Sequence, residues 1–364
     1  MRNAKGNVPG PCELANVNRI LSILRHKSGT LAHMVPPRAA RLRKARSRMD
    51  VILHLGAHRT ATTSFQHYMR ANGAVFEADR LAFWGPVRTR NGLLHGVIPV
   101  PGRIRASQQL ARAGGRIGLK VQKVKARGFQ QLVISDENLI GTMRRNIRDM
   151  RIYPAAGERM ARYHMAFGPR LTRVVLSIRG QESYWKSVLS YNLERIGCVP
   201  SEAELTHIAT GPRSWRDVIT DIACAMPGVE IVVLPHERFA TRPEARLAAM
   251  TGRAGLTRRH AREMLNRSPT MPVLHAALEA RGADARACGL NTGLNTERDH
   301  WNPFTDLQSS AMAEAYADDL YWLRAGADGL AILTEESQPE TAGKHPAAGS
   351  PKRGQDYGKE KRLA

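Results

Sequence analysis

Four short, mostly apolar runs along the chain predict buried β-strands, and polar or charged residues follow each run within three positions. The runs cover residues 51–55, 129–134, 171–178 and 229–234. Apolar runs of this length, rich in β-branched residues, are typical of strands that are covered on both faces of a parallel sheet. The sequence therefore predicts an α/β fold of three layers, with a central and mainly parallel sheet between helices.

The residues after the first run predict a helix that begins near Thr62. Phe65, Tyr68 and Met69 recur at i, i+3 and i+4, so they form one apolar stripe that can pack against the sheet. Helical spacing also follows the third run, over residues 181–194. A strand, a polar loop and a helix thus succeed one another twice.

The first of these loops combines a glycine, two basic side chains and four hydroxyls. It consists of Gly56, Ala57, His58, Arg59, Thr60, Ala61, Thr62, Thr63 and Ser64. Gly56 permits a sharp turn that a side chain would obstruct. The first turn of the helix directs free backbone N–H groups, and the positive end of its dipole, at the loop. The loop therefore predicts a phosphate or sulfate site, although a hydroxyl-rich helix start also serves as an ordinary N-cap.

This loop departs from the nucleoside-triphosphate loop of kinases and ATPases. That motif, G-x-x-x-x-G-K-[ST], requires a second glycine and a lysine where this chain has Ala61, Thr62 and Thr63. The sequence therefore disfavours a kinase or an ATPase.

A second basic and hydroxyl pair follows the third apolar run. Arg179 comes at the predicted carboxyl end of that strand, which is where open parallel sheets bind ligands. Ser187 follows on the next helix after seven intervening residues. An arginine makes charge-assisted hydrogen bonds to phosphate, and a serine hydroxyl can complete the shell. The pair predicts a second phosphate subsite.

The chain is strongly basic, with a formal net charge of +23 at pH 7. A basic surface raises the local concentration of anions, which favours anionic partners such as an acidic glycan or a lipid head group. Residues 1–48 hold eleven Lys or Arg and one acidic residue. Because no aromatic residues are interleaved with these charges, they predict no specific nucleic-acid site, and a basic arm that binds nucleic acid or membrane stays an alternative.

Composition divides the chain into three parts. Residues 1–48 have no apolar segment of signal-peptide type, and we expect them to be disordered or to precede a natural start at Met49. Residues 49–334 have the length of one α/β domain. Residues 335–364 are poor in large apolar residues and predict a disordered tail. No apolar run is long enough for a transmembrane segment.

The cysteines and histidines lack the spacings of metal sites. Cys12, Cys198, Cys224 and Cys288 contain no C-x-x-C pair, so we expect reduced thiols and a cytoplasmic protein. No H-E-x-x-H pattern occurs. The sequence predicts no metal.

The stretch GAHRTATTSFQ resembles the 5′-phosphosulfate loop of the sulfotransferase family. In that loop a Lys or Arg, any residue, a small residue and a Thr-Thr or Thr-Ser pair open the first helix. Arg59 takes the basic position here, and Ala61 replaces the usual Gly or Ser. Arg179 and Ser187 are similar to the family's 3′-phosphate motif. Weaker similarities to bacterial sulfotransferase-like proteins lie at residues 135–138, 235–239, 265–268 and 316–323.

The resemblance implies a P-loop-like sulfotransferase fold and a defined reaction. A sulfuryl group would pass from 3′-phosphoadenosine 5′-phosphosulfate (PAPS) to the hydroxyl or amine of an acceptor. Arg59, with His58, Thr62 and Thr63, would stabilise charge on the leaving oxygen. The second motif would hold the 3′-phosphate. No metal takes part in this scheme.

The acceptor needs a general base, for which the resemblance implies a Glu or a His. Glu137 is the first candidate because it follows a predicted strand end on the same side of the sheet as the loop. A turn-stabilising carboxylate is an equal interpretation. His95 is the second candidate. A catalytically inactive module that keeps nucleotide or anion binding remains the alternative function.

Overall fold

The computed structural model describes residues 49–197, 200–282, 290 and 300–335, all of which belong to the compact unit Met49–Ala364. In this part of the chain the sheet has six strands. They are β1 (Asp50–His54), β2 (Leu81–Trp84), β3 (Gln131–Ser135), β4 (Leu171–Ile178), β5 (Glu230–Pro235) and β6 (Ile332–Leu333). Every neighbouring pair is parallel, in the order β2-β3-β1-β4-β5-β6. The predicted mainly parallel sheet is confirmed.

Helices connect successive strands. The α-helices are α1 (Thr62–Ala71), α2 (Gly73–Ala78), α3 (Pro86–Arg88), α4 (Ala106–Ala126), α5 (Met143–Asp149), α6 (Ala156–Phe167), α7 (Gln181–Ile196), α8 (Glu202–Thr210), α9 (Trp215–Ala225), α10 (His236–Phe239), α11 (Pro243–Thr251), α12 (Met271–Glu279) and α13 (Asp306–Arg324). Short 3₁₀ turns lie at Glu137–Leu139, Gly168–Arg170 and Ala327–Gly329, and a π turn lies at Thr89–Leu93.

The core has one layer on each face of the sheet. Along β1, Ile52 points to one face, whereas Val51 and Leu53 point to the other. The layer around Ile52 contains Phe65, Tyr68, Met69, Phe76, Leu247 and Met250, from α1, α2 and α11. The opposite layer contains Ile117, Met160, Val188, Ile219, Leu274 and Leu323, from α4, α6, α7, α9, α12 and α13. The structure thus has the predicted three layers.

The crossovers that follow β1 and β4 leave the sheet on opposite faces. The helix after β1 packs in the layer around Ile52, and the helix after β4 packs in the opposite layer, where Val188 is buried. Because β1 and β4 are neighbours, their loops diverge and open a crevice at the carboxyl edge of the sheet. Such switch points bind ligands in doubly wound α/β folds.

Three further predictions from the sequence concern membrane segments, the chain termini and the thiols. None of the helices in the described part of the chain combines the length and apolar character needed to cross a bilayer. Cys224 is an exposed free cysteine. The expectations for residues 1–48 and 336–364, and for Cys12, Cys198 and Cys288, lie outside the described residues.

Candidate functional site

The loop after β1 continues the sheet and then turns sharply. The N–H of Ala57 donates to the carbonyl of Ser177, 3.1 Å away, so β4 still guides the chain at this point. Gly56 adopts φ +46°. The hydroxyl of Thr60 donates to the carbonyl of Ala57 at 2.6 Å, which closes the turn from inside. Thr60 is buried, and its hydroxyl supports the loop rather than facing the crevice.

A side chain at Gly56 is expected to be costly. A Cβ there would lie 2.5 Å from Oγ1 of the buried Thr62. Together with the left-handed backbone, this contact predicts that Gly56→Ala lowers the free energy of unfolding by about 2–5 kcal/mol. Urea denaturation would measure the change.

Gly252 provides a matched control for that substitution. It has φ +71° and open space around its Cβ position, so Gly252→Ala should cost only the left-handed backbone, about 1–2 kcal/mol. An equal cost at both positions would show that the turn tolerates a side chain at Gly56.

The N-terminus of α1 carries no side-chain cap. Its N-cap residue is Ala61, at φ 58°, and no side-chain capping hydrogen bond forms there among the described residues. Thr62 and Thr63 instead line the crevice. The hydroxyl of Ser64 accepts from the N–H of Leu265 at 2.9 Å and anchors the segment 264–270. The alternative that the hydroxyl run is an ordinary N-cap is therefore wrong.

The crevice at this edge has a volume of about 800 Å³. Eight of the predicted site residues line it: His58, Arg59, Ala61, Thr62, Thr63, Glu137, Arg179 and Ser187. Further lining residues come from α5, α7, α10, α12, Thr241, the segment 264–270 and His300. The volume lies within the range of small-molecule sites. The structure thus brings most of the two predicted motifs to one crevice.

Arg59 joins the two motifs directly. Its Nε donates to the hydroxyl of Ser187 at 2.9 Å, and its second guanidinium nitrogen donates to Ser268 at 3.2 Å. Ser187 and Ser268 lie 2.6 Å apart through their hydroxyls. Arg59 also stands over the ring of Tyr191, 5.0 Å from its centroid. The arginine of the first loop thus rests against the serine of the second motif.

Arg179 supports the first loop from the end of β4. Its guanidinium donates to the carbonyl of Arg59 at 2.8 Å and to the hydroxyl of Ser183 at 3.0 Å. Burial, followed by repulsion from Arg179, lowers the pKa of Arg59 to about 10. Burial also lowers the pKa of Arg179, against the attraction of Glu237. Both guanidinium groups keep their charge at neutral pH, so this end of the crevice favours an anion.

A third arginine, Arg246, lies beneath the loop and was not predicted. Its exposure is 0%, and it donates to the carbonyl of Thr60 at 2.9 Å. Its Nε and other terminal nitrogen have no partner among the described residues. Burial lowers the pKa of Arg246 to about 10. This charge therefore adds to the positive potential under the loop.

His236, which lines the crevice, is held in its neutral form. Burial, then the charges of Arg179 and Arg246, lowers the pKa of His236 to about 3. Its Nδ1 has no partner in the described part of the chain. A neutral imidazole adds a polar contact to the crevice without a charge.

Both ring nitrogens of His58 are already engaged. The hydroxyl of Tyr153 accepts from the backbone N–H of His58 at 2.7 Å and lies 2.8 Å from its Nδ1. Nε2 donates to Oδ1 of Asn138 at 3.1 Å. Burial lowers the pKa of His58. In this structure His58 shapes the loop, and it faces an anion only if one of these bonds opens.

The two candidate bases differ in position. Glu137 lines the crevice, where its carboxylate accepts from Arg90 at 2.8 Å and from Gln66 at 3.1 Å. His95 is exposed and is not among the residues that line the crevice. Its backbone carbonyl accepts from Arg116. The structure therefore brings Glu137 to the motifs and leaves His95 apart from them.

The chain matches no protein-family model, and it matches no curated protein. The sulfotransferase resemblance therefore stays a prediction, and function has to be argued from the residues and their geometry.

Proposed function

We propose that this protein transfers a sulfuryl group from PAPS to a hydroxyl or amine of an acceptor. One observation carries the proposal: the uncapped start of α1 and the Arg179–Ser187 pair line the same crevice at the switch point of the sheet. PAPS carries two charged groups on its ribose, the 5′-phosphosulfate and the 3′-phosphate, and these suit the two predicted anion-binding ends of the crevice. The arrangement supports this donor better than it supports a nucleoside triphosphate, because the loop lacks the lysine of that motif.

The 5′-phosphosulfate is assigned to the end of the crevice at the start of α1. Backbone N–H groups of the first turn of α1 and the hydroxyls of Thr62 and Thr63 are the donors available there. The 3′-phosphate belongs beside Arg179 and Ser187, where a guanidinium and a hydroxyl provide charge-assisted hydrogen bonds. The buried charge of Arg246 lies beneath the loop at the first end.

The reaction is an in-line displacement at sulfur. The acceptor oxygen or nitrogen forms the new bond to sulfur, the bond from sulfur to the 5′-phosphate oxygen breaks, and the acceptor loses a proton to a base. The products are the sulfated acceptor and adenosine 3′,5′-bisphosphate. Positioning and charge stabilisation supply most of the rate in such displacements.

Arg59 is the group assigned to the leaving oxygen. In the structure it donates to Ser187 and Ser268, so it lies beside the proposed 3′-phosphate subsite. Binding of the 3′-phosphate by Ser187 would compete for these bonds and release Arg59 towards the 5′ end. The assignment therefore requires the Arg59–Ser187 contact to open when the donor binds.

Glu137 is the base that the crevice supports best. A hydrogen bond from Gln66 and an ion pair with Arg90 fix its carboxylate at the edge of the crevice. Glu137→Gln keeps the shape but removes the basicity. We expect the variant to lose turnover by on the order of 10²-fold while its affinity for the donor product stays nearly unchanged.

Transfer of labelled sulfate from PAPS to a panel of glycans, lipids and phenols tests the function. Wild type and Glu137→Gln would be compared on any acceptor that becomes labelled, with His95→Ala as the control for the other candidate base. Wild-type turnover in Glu137→Gln would remove Glu137 from the mechanism. Failure of wild type to label any acceptor would count against transfer.

A catalytically inactive nucleotide-binding module is the second candidate. The engagement of Arg59 by two serines and of Glu137 by Arg90 favours it, because both reactive groups are already bonded. Tight binding of adenosine 3′,5′-bisphosphate without labelled product would select this function.

The acceptor is proposed to be anionic, such as an acidic glycan or a lipid head group. Arg267 supports this choice, because it is exposed at the crevice. Its positive charge would attract such an acceptor. A cytoplasmic location stays part of the proposal.

A further inference from the structure

A cluster of two histidines and a glutamate lies on the surface and is not part of the crevice lining. Nε2 of His67 is 2.5 Å from one carboxylate oxygen of Glu263. Nδ1 of His260 is 2.6 Å from the other oxygen. One potential ligand atom from each residue lies within 4.8 Å of the other two. Three groups of the types that bind transition metals thus converge on one point.

The backbone around the cluster is fixed by hydrogen bonds between α1 and the segment 257–265. The hydroxyl of Tyr68 donates to the carbonyl of Thr257 at 2.7 Å. The side-chain amide of Asn72 donates to the carbonyl of Arg259 at 2.9 Å. The rings of His67 and His260 lie near each other across this contact, with centroids 6.3 Å apart and planes at 82°. The ligand positions are therefore preorganised.

The chemistry of the cluster suits a borderline metal ion. Imidazole nitrogen and carboxylate oxygen are ligands of Zn²⁺ and its neighbours, whereas Mg²⁺ and Ca²⁺ prefer oxygen alone.

The present contacts need only a small adjustment to accept such an ion. Two ligand atoms on one tetrahedral Zn²⁺ lie roughly 3.3 Å apart. The carboxylate of Glu263 would therefore retreat by less than about 1 Å from each ring. Its side chain is 47% exposed, so nothing buried has to move. Each ring would carry its proton on the nitrogen away from the metal, as neutral imidazole ligands do.

We infer that His67, His260 and Glu263 form a binding site for a divalent transition-metal ion of the Zn²⁺ type, with water at the fourth position. His67 lies on α1, the helix whose start forms the anion loop. His260 and Glu263 lie in the segment that leads to Ser268 in the crevice. A bound ion therefore clamps the helix of the loop to the segment that closes the crevice.

Calorimetric titration of the full chain with Zn²⁺ tests this site. Wild type should bind one ion that the double variant His67→Ala/His260→Ala does not bind, a loss of affinity of more than about 100-fold. Zn²⁺ should raise the melting temperature of wild type by mass action and leave that of the double variant unchanged. His207→Ala, which removes an exposed histidine outside the cluster, should bind as wild type does.

Equal Zn²⁺ binding by wild type and the double variant would overturn the site. A second measurement does not depend on the variants. Anomalous scattering from a wild-type crystal soaked in Zn²⁺ should give a peak bounded by His67, His260 and Glu263. A peak elsewhere, or none, would show that these residues form only a hydrogen-bonded surface cluster.

Discussion

Replacing Arg59 by alanine is expected to lower sulfuryl-transfer turnover by on the order of 10²-fold or more. In the proposed reaction the leaving 5′-phosphate oxygen gains negative charge as the bond to sulfur breaks, and Arg59 is the cation assigned to it. Without the guanidinium, that charge would lose the cation proposed to compensate it. Turnover with PAPS at a saturating acceptor concentration would measure the effect.

Arg59→Lys is the control for this prediction. It keeps a positive charge at a position where the resembling family commonly has lysine, so it should retain much of the activity. The alanine variant should also keep its fold, because Arg59 is only partly buried. If Arg59→Ala turned over as fast as wild type, Arg59 would serve only as a partner of Ser187 and Ser268.

Replacing Arg179 by alanine is expected to weaken adenosine 3′,5′-bisphosphate far more than 5′-AMP. The lost charge-assisted hydrogen bond is worth about 1.5–3 kcal/mol, roughly 10- to 150-fold in affinity. The two ligands differ only in the 3′-phosphate, so the difference between them isolates that subsite. Calorimetric titration of both ligands would give the two ratios.

Arg112→Ala controls for the loss of one positive charge. Arg112 is exposed on α4 and does not line the crevice, so its removal should weaken both ligands little and equally. Arg179 also supports the loop, because it donates to the carbonyl of Arg59. The melting temperatures of wild type and Arg179→Ala therefore have to be compared as well. Equal weakening of both ligands by Arg179→Ala would remove the 3′-phosphate assignment.

Four of the six strands in the described part of the chain, and the first helix, could be predicted because their signals are local, whereas the short strands β2 and β6 were not predicted. The run at 171–178 is mostly apolar and rich in β-branched residues, and β4 has the predicted bounds, Leu171–Ile178. The helix predicted near Thr62 begins at that residue. The strand predicted from residue 129 begins at Gln131 instead, where pairing with Asp50 and Leu81 starts. Phe129 is buried ahead of that ladder, so its apolar character misled the boundary.

The residues that support the site could not be predicted from the sequence. Arg246 reaches the carbonyl of Thr60 across 186 positions, and Tyr153 reaches His58 across 95. Arg90 contacts Glu137 over 47 positions. Only packing of the layers creates these contacts, and the only local signal for Arg246 is a charged residue among apolar neighbours in α11. The contact between His67 and Glu263 could not be predicted either, because these residues are 196 positions apart.

The central claim, a PAPS site between β1 and β4, is tested most directly by a crystal structure of the complex with adenosine 3′,5′-bisphosphate. The 5′-phosphate should lie at the start of α1 beside Thr62 and Thr63, and the 3′-phosphate should lie within hydrogen-bond distance of Arg179 and Ser187. Arg59 should have left Ser187. A nucleotide bound in the reverse orientation, or a crevice that stays empty at saturating ligand, would contradict the claim.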